Sequence, residues 1–595
     1  MDRQALLGYI LIFLLLVVWM WMNTPPPVDP SVQQQQTTTQ DTVKPAPVKI
    51  EEVEQKPQTP TQPFGQFFTG REKGTERSIT IETDLFIAEL TAKGGLIKKW
   101  ELKNYKTWDG LPVQLVDYES RGDFSILFTT TDGRLINTRD LYFDIHQFWG
   151  EKRTLSGEET FTVDLVLPAV RGGRIIKRLT FQNGRYGFET ELLFENLENV
   201  IANFEYQLVW ENGLRYAEHN SIDESTVAAA FAYAGKELTE IDAASFEEQT
   251  TKNLSGAIDW VATRNKYFAL AIIPAKGVSD GAYLAGSRHS KSDKGALEKY
   301  SIAVKVPFKG TQRENALFTV FFGPSDIDLL RFYEVGLENI ISLGWTWLIR
   351  PISEYIMLPL MSFLFYIIPN WGVVIIVFSI IIKIALHPLS KSSMKSMKKM
   401  QSLQPMMEEI RQKYKDDPQK MNQQIMNLYK EYGVNPAGGC LPLILQFPIL
   451  IALYNVFRGA LELRQANFFW WINDLSIPDT IVSLPFEIPL FGVRDVSGLA
   501  LLMGITMFIQ QKMTVKDPRQ KAMVWMMPIM MTLLFNGFPS GLNLYYFVFN
   551  LLSIGQQIMI NKQADQEPLR KVDPKKRKAG GIFGKIPTDF RKLKR

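Results

Sequence analysis

The sequence has very little cysteine and histidine, with one cysteine, Cys440, and four histidines among 595 residues. A single cysteine excludes an intramolecular disulfide in any compartment. Structural zinc sites take four ligands, mostly cysteine and histidine, so this composition argues against one. The sequence also lacks a Walker-type glycine–lysine loop, a catalytic-triad order and a dinucleotide fingerprint. We therefore predict a protein that is not an enzyme and that has no catalytic residues, no cofactor and no metal.

An excess of one charge sign is also missing, because 66 basic residues nearly balance 62 acidic ones. The resulting net charge of +4 says little about binding partners. The hydrophobic content of 46% is an average over two different regions. The first half of the chain is polar and strand-like, whereas the second half is strongly apolar, which predicts separate domains.

The N-terminal region begins with an apolar run over residues 5–22, which follows Arg3 and meets a proline cluster starting at Pro25. A secretory signal has a shorter apolar region and a small-residue cleavage site. We therefore predict a retained transmembrane anchor over residues 1–23, with a cytoplasmic N-terminus, rather than a cleaved signal. Residues 24–64 are rich in Pro, Gln and Thr, which predicts a disordered linker.

Residues 65–324 contain short segments in which apolar and polar side chains alternate. Examples are SITIET at 78–83 and FTVDLVL at 161–167, and Gly, Asn and Asp punctuate the segments. This pattern predicts a large, antiparallel β-sandwich domain. Three of the histidines lie in this region, but no spacing of theirs indicates a catalytic site.

Residues 325–370 are predicted to form amphipathic, interfacial helices. Ser325 is a candidate N-cap for a helix that begins at Asp326. One face of that helix would be apolar through Ile341, as expected for a helix on a membrane surface or against the β domain. Residues 352–368 are apolar enough to be mistaken for a span, but the distribution of basic residues argues against it.

The second half of the chain contains five further apolar segments, which we predict to span the membrane. The loop over 390–435 is rich in Lys and Arg, as are the short loop after residue 511 and the tail over 563–595, whereas the loop over 458–497 is poor in them. Basic loops stay in the cytoplasm. Six spans with both termini in the cytoplasm and the β domain outside satisfy this rule throughout. The predicted spans after the anchor are 371–388, 437–457, 499–511, 524–538 and 541–560.

Lys383 lies inside the span that begins at Trp371. An ionisable residue in a span is costly and suggests a functional site. Twelve residues at about 1.5 Å each place Lys383 roughly 18 Å below Trp371, which leaves roughly 12 Å of a core about 30 Å thick. A lysine stem covers only part of that distance, so depth alone leaves a cavity-facing lysine and a snorkelling lysine equally open.

Polar residues in several other spans favour a cavity. Five of them recur at intervals of three and four along the last span, which places them on one helix face. Such groups often only join helices by hydrogen bonds, but a stripe of five together with a lysine favours a shared hydrated groove. The candidate groove residues are Lys383, Ser379, Gln446, Thr506, Gln510, Asn543, Tyr546, Asn550 and Ser553, and Gln557 ends the stripe.

The basic loop over 390–435 is predicted to be a cytoplasmic helical hairpin, whose second helix has Asp417 as N-cap and Pro418 in its first turn. Methionine provides an adaptable surface for varied apolar partners, although packing of the methionines within the hairpin is equally consistent with the pattern. Binding of the basic tail to ribosomal RNA or to anionic lipid also remains open. The candidate contact residues of the hairpin are Met394, Met397, Met400, Lys398 and Lys399.

Five runs of the sequence are distinctive. They are VNPAGGCLPLILQFPILIALY at 434–454, ELRQA at 462–466, WINDLS at 471–476, FPSGLNLYY at 538–546 and, at the end of the β domain, FFGP at 321–324. The runs of the second half resemble the YidC/Oxa/Alb family of membrane insertases, and the anchor and large β domain resemble its Gram-negative form. The resemblance implies a five-helix core around a groove that is open to the cytoplasm and lipid and closed outside, and a β domain of the super-sandwich type. It also implies a positive residue in the groove at the position of Lys383, where Arg is usual, and groove-facing positions at Ser379 and Tyr546.

We therefore expect an insertase and folding chaperone of the cell inner membrane, with the β domain in the periplasm. Its expected partners are nascent and newly made membrane proteins, the Sec translocon, the ribosome and anionic lipids, but not DNA. Two other classes fit parts of the pattern. An ion-coupled transporter would use Lys383 as a titrating site, and a scaffold would bind a periplasmic partner or glycan through its β domain.

Overall fold

The computed structural model describes residues 64–146, 150–290, 295–434, 441–488, 491–515, 521–564 and 571. The predicted anchor and linker lie outside the described residues, as does nearly all of the basic tail. The chain divides into two compact units between Ile341 and Ser342.

The first unit is built from strands, with two short helices, α1 (Ser221–Ser225) and α2 (Ile327–Arg331). Short strands alternate with turns because Gly, Asn and Asp recur between the apolar segments. The strands are β1 (Ser78–Glu82), β2 (Phe86–Thr91), β3 (Leu96–Lys106), β4 (Pro112–Gln114), β5 (Ser125–Thr130), β6 (Leu135–Asn137), β7 (Asp144–His146), β8 (Lys152–Thr154), β9 (Thr160–Pro168), β10 (Arg174–Gln182), β11 (Phe188–Glu195), β12 (Ile201–Trp210), β13 (Ala229–Ala234), β14 (Glu237–Ile241), β15 (Gln249–Ser255), β16 (Trp260–Arg264), β17 (Phe268–Pro274), β18 (Gly281–Ser290), β19 (Ala296–Pro307) and β20 (Arg313–Pro324).

These strands form three sheets with the orders β4-β3-β2-β1-β8, β14-β13-β16-β17-β20-β11-β10-β9-β7 and β15-β18-β19-β12-β5-β6. Among the described strands of this unit, β1 and β8 pair in parallel, and the other pairs are antiparallel. The predicted antiparallel β-sandwich domain is therefore confirmed.

Two buried side chains join the sheets. The ring of Trp100, on β3, stacks on Phe86 and on Phe322 of β20, with centroid distances of 4.1 and 4.8 Å. The ammonium group of Lys177, on β10, donates to the carbonyl of Gly95 at 3.0 Å and to that of Phe124 at 2.6 Å. Since Gly95 precedes β3 and Phe124 precedes β5, this one lysine connects all three sheets.

The segment after β20 differs from the prediction. The N-cap is Asp326, whose carboxylate accepts from the backbone N–H groups of Asp328 and Leu329, and it is not Ser325. The helix ends at Arg331 because Glu334 and Gly336 take left-handed backbone conformations, with φ of 53° and 73°. A separate 3-10 turn follows over Leu337–Ile340. The prediction of a continuous amphipathic helix to Ile341 was therefore wrong.

The second unit is mainly helical. A π-helical turn over Ser353–Met357 lies between its first two helices. In the loop before Gly498, a two-stranded hairpin forms from β21 (Thr480–Ile488) and β22 (Val493–Ser497), which the sequence pattern did not predict. The helices are α3 (Ile349–Ile352), α4 (Leu358–Ile367), α5 (Trp371–Ala385), α6 (His387–Ser402), α7 (Gln404–Lys413), α8 (Pro418–Tyr432), α9 (Leu441–Gly459), α10 (Gly498–Thr514), α11 (Lys521–Phe535) and α12 (Ser540–Ala564).

Local sequence signals account for several helix boundaries. The Asn370 side chain caps α5 by accepting from the N–H of Val373. Asp417 caps α8 in the same way, with Pro418 at its first position, as predicted, and Gly433 ends α8 in a left-handed conformation. The chain bends by 64° between α5 and α6. By length and composition, this bent pair is a candidate membrane span, whereas no single helix among the described residues meets the same test.

Lys177 gives the β domain a pH dependence that can be measured. Burial lowers its pKa from 10.5 to about 7 because desolvation disfavours the ammonium, although Asp123 acts in the opposite direction. The unfolded chain therefore binds more protons than the folded domain between these two pKa values, and the free energy of unfolding rises with pH in this window. We expect Lys177→Met to remove a rise on the order of 2 kcal/mol between about pH 7 and 9.

Urea unfolding of residues 64–341 at the two pH values, followed by tryptophan fluorescence, measures this difference. Loss of the two hydrogen bonds lowers the stability of Lys177→Met at every pH, so the quantity to compare is the change with pH. Lys252→Met, at an exposed position on β15, is the control and should keep the rise. If the free energy of unfolding of Lys177→Met rose with pH as much as that of the wild type, Lys177 would not be the group responsible.

Gly504 allows α10 and α11 to approach closely, since a Cβ atom on it would overlap the Thr532 hydroxyl. We expect Gly504→Ala to lower the thermal unfolding midpoint of the detergent-solubilised protein, because overpacking costs about 1–3 kcal/mol. Gly555→Ala is the control, since nothing lies within 4 Å of its Cβ position and alanine favours helix. Adding Thr532→Ala should restore part of the loss, and equal midpoints for the two glycine variants would refute the argument.

Candidate functional site

The candidate site is organised around α12, which packs against α5, α6, α9 and α10. Its N-terminus is fixed by the preceding loop, because the N–H groups of Ser540 and Gly541 donate to the carbonyls of Ile477 and Leu475. Gly541 also lies directly against Ile375 of α5, where a side chain would crowd the contact. The polar stripe of α12 is therefore held next to α5 and Lys383.

The Lys383 side chain is 7% exposed and lies against the middle of α12. Its ammonium group donates to Ser553 Oγ at 2.6 Å and lies 4.4 Å from the centre of the Phe549 ring. The Ser553 hydroxyl in turn donates to the Phe549 carbonyl at 2.7 Å. The lysine predicted from the α5 sequence and the serine predicted from the α12 stripe are thus in direct contact.

The electrostatic surroundings of Lys383 are unusual for a buried cation. Within the described ranges, no carboxylate lies within salt-bridge distance of its ammonium group. A hydroxyl and the face of an aromatic ring offset only part of the cost of removing a cation from water. Lys383 is therefore a positive charge without a fixed counter-charge, which is suited to attracting an acidic group.

Other polar atoms along α12 are buried without a hydrogen-bond partner in the described protein. They belong to residues on and beside the predicted stripe. A buried donor or acceptor without a partner costs about 1–3 kcal/mol, so these groups are available for hydrogen bonds with water or with a polar segment of another chain. These atoms are Asn543 Oδ1, Tyr545 OH, Tyr546 OH, Asn550 Nδ2 and Gln556 Oε1.

The remaining predicted groove residues differ in their surroundings. The hydroxyl groups of Ser379 and Thr506 are buried and donate to carbonyls of their own helices, at 2.6 Å to Ile375 and 2.8 Å to Met503. Gln446 and Gln510 are only partly buried. The Gln557 amide donates to Asn561 on the same helix. None of these five residues has a described hydrogen bond to Lys383.

Sequence reasoning missed the polar network at the N-terminal end of the stripe. The Asp479 carboxylate accepts from Trp471 Nε1 and from the N–H of Leu499, both at 2.8 Å, and from Ser497 Oγ. The amide of Asn543 donates to the same serine hydroxyl at 3.5 Å. Ser497, as the N-cap of α10, was a local sequence signal for part of this network. Asp479 is a single aspartate in a loop, and no local pattern marks it.

The hairpin of α6, α7 and α8 has a small core of its own. Met400 packs against a cluster that includes Leu403, Met407 and Leu428. Met394, Met397 and Lys398 are half-buried, and Lys399 is exposed. Part of the methionine pattern thus serves packing within the hairpin, and the role of the other candidate contact residues stays a prediction.

Acidic, histidine and cysteine side chains do not cluster in groups of three or more that could hold a metal ion anywhere in the residues described by the structure. The chemistry available at this site is hydrogen bonding, hydration and the positive charge of Lys383.

Comparisons with known proteins identify the family. A family model described as "60Kd inner membrane protein" matches residues 363–567, and one described as "YidC periplasmic domain" matches residues 78–355. A "Membrane protein insertase YidC" of Chloroherpeton thalassium is 39% identical over 588 residues, covering 97% of this chain and 99% of the relative. The chain belongs to the YidC family of membrane protein insertases.

A second YidC relative, from Chlorobium phaeovibrioides, is 39% identical over 597 residues and covers 98% of this chain and 100% of its own. A solved structure described as "Active YidC insertase crystal structure with the first transmembrane domain resolved" aligns with 81% of this chain and 93% of its own, at 20% identity and a TM-score of 0.34. The full-length relatives confirm the family resemblance and the insertase function, and the YidC family consists of inner-membrane proteins with a periplasmic domain.

Proposed function

We propose that this protein inserts membrane proteins through a hydrated groove formed by α5, α10 and α12, in which the charge of Lys383 attracts acidic segments of the substrate. The observation that carries the proposal is the buried ammonium group of Lys383, which donates to Ser553 Oγ at 2.6 Å and has no carboxylate within salt-bridge distance among the described residues. The polar atoms of α12 without a partner support a groove that admits water.

The proposed topology has six spans, formed by the N-terminal anchor and the five segments predicted above, with both termini in the cytoplasm. The distribution of basic loops supports this arrangement. The hairpin over residues 390–435 then lies in the cytoplasm, where it and the basic tail would meet the ribosome or anionic lipid. The Sec translocon is a further proposed partner, alongside insertion by this protein alone.

Insertion in this scheme needs no covalent step. A short polar segment of the substrate enters the groove, where water and Lys383 reduce the cost of removing it from bulk water. The apolar segment of the substrate then moves into lipid along the groove mouth. Each apolar side chain that leaves water contributes about 1.5–3 kcal/mol, so a span of the substrate supplies the driving force.

Reversing the charge at Lys383 tests the proposal. Two unit charges about 5 Å apart interact by roughly 3 kcal/mol at an effective dielectric constant of about 20. We therefore expect Lys383→Glu to reduce insertion of a single-span substrate with an acidic tail by about tenfold or more, since about 1.4 kcal/mol corresponds to a factor of ten. The measurement is protease protection of the substrate after insertion into liposomes that contain the purified protein.

Two further variants separate charge from hydration. Lys383→Arg keeps the charge and should retain insertion, whereas Lys383→Gln keeps a polar group and should lose it only for the acidic substrate. A matched substrate with a neutral tail is the control and should be inserted equally by wild type and Lys383→Gln. If Lys383→Glu inserted the acidic substrate as well as wild type does, the proposed role of the charge would be wrong.

A further inference from the structure

The loop between α9 and α10 exposes large apolar side chains. Phe469 and Trp470 are 56% and 78% exposed, and Phe486 on β21 is 61% exposed. Ile481 and Val482, also on β21, are 48% and 51% exposed. We call these five residues the outer apolar surface. Contiguous exposed apolar residues mark a surface that contacts another molecule or a membrane.

The hairpin of β21 and β22 exposes apolar residues on its first strand. Ile481 and Val482 are each about half exposed, at an irregular place in the ladder where Thr480 pairs with Ser497 and Val482 pairs with Val496. A ribbon with one face in water normally alternates between apolar and polar residues. Charged residues are present as well, since Glu487 and Arg494 are exposed and the exposed Asp495 pairs with Ser483.

The aromatic part of the surface is held in a fixed conformation. Trp470 has a left-handed backbone, with φ of 52°, which is costly for a bulky residue. Its ring stacks on Phe469 with a centroid distance of 4.7 Å and lies 5.8 Å from Trp471. The indole N–H of Trp471 donates to Asp479, which also accepts from the first turn of α10. Ring stacking and the hydrogen bond to Asp479 therefore hold the exposed rings in place.

The outer apolar surface continues into an exposed apolar face of α10. Side-chain atoms of Ile481 and Trp471 both lie 2.9 Å from the position that a Cβ on Gly498 would take, at the start of this helix. From there α10 exposes Leu501, Ile505 and Ile509, which are 39%, 56% and 42% exposed. Residues four apart share one helix face, so the apolar face of the helix and the loop form one surface.

We propose that the outer apolar surface lies in the interfacial region of the extracytoplasmic lipid leaflet, with Phe469 and Trp470 among the headgroups and upper acyl chains. Tryptophan favours this region because its ring is amphipathic, and the exposed charged residues of the ribbon suit the headgroups. Continuity with α10 favours lipid over a protein partner. The inference rests on the proposed topology, in which α10 spans the membrane.

This contact would position the groove in the bilayer. Asp479 joins Trp471 to Ser497 and Leu499, and Ser497 joins Asn543, the first residue of the α12 stripe. The depth at which the aromatic rings settle therefore sets the depth of the outer end of the groove.

Fluorescence quenching in proteoliposomes tests the inference. Because Cys440 is the single cysteine, a Cys440→Ser chain accepts one cysteine at a chosen position, labelled with the environment-sensitive dye NBD. The test positions are Trp470→Cys and Val482→Cys. Ile505→Cys reports whether α10 is embedded, and Leu135→Cys, at a site in the β domain that is 66% exposed, is the aqueous control. Quenchers are lipids brominated near the headgroup or near the acyl-chain centre, and iodide in the water.

We expect the dye at 470 and 482 to lose fluorescence most with bromines near the headgroup, the dye at 505 with deep bromines, and the dye at 135 with iodide. Quenching at 505 by lipid, with 470 and 482 reached only by iodide, would overturn the inference and leave the topology intact. Iodide access at 470 in pure lipid that is lost in native inner-membrane vesicles would assign the surface to a protein partner and also overturn it. Iodide quenching at 505 would reject the topology and the inference together.

Discussion

The hydrogen bond between Lys383 and Ser553 links the two helices on which the helical unit depends. It places a positive charge where α5 meets the polar stripe of α12, where a ring and a hydroxyl contact it and no carboxylate of the described residues lies within salt-bridge distance. A buried ion pair would have been neutral overall and of little use for attraction. The charge without a partner costs stability but remains available to an acidic segment of another chain. The polar atoms of α12 without a hydrogen-bond partner likewise cost stability and stay available to another molecule.

Much of the fold was predictable from the sequence because its signals are local. Alternating residues and turn residues predicted the β domain, and Asp417 with Pro418 predicted the start of α8. Lys383 and Ser553 were both selected because a polar group in an apolar helix stands out. The contact between them, which joins residues 170 positions apart, followed from neither residue alone.

The failures have physical reasons as well. The helix expected to run to Ile341 stops because Glu334 and Gly336 adopt positive φ. An amphipathic pattern of residues carries no information about the sign of φ. The hairpin of β21 and β22 escaped prediction because its first strand does not alternate regularly between apolar and polar residues and its ladder carries register shifts. Asp479 was missed because its partners lie 8, 18 and 20 positions away, and only the folded loop brings them together.

The strand order of the β domain has a consequence for its biogenesis. β20, the last strand of the domain, lies in the interior of the nine-stranded sheet, between β17 and β11. Until residues 313–324 have crossed the membrane, that sheet consists of two separate halves with open edges. The domain therefore closes only after its whole length has been exported. A protein that inserts others thus depends, in its own synthesis, on a translocation step that must finish before folding does.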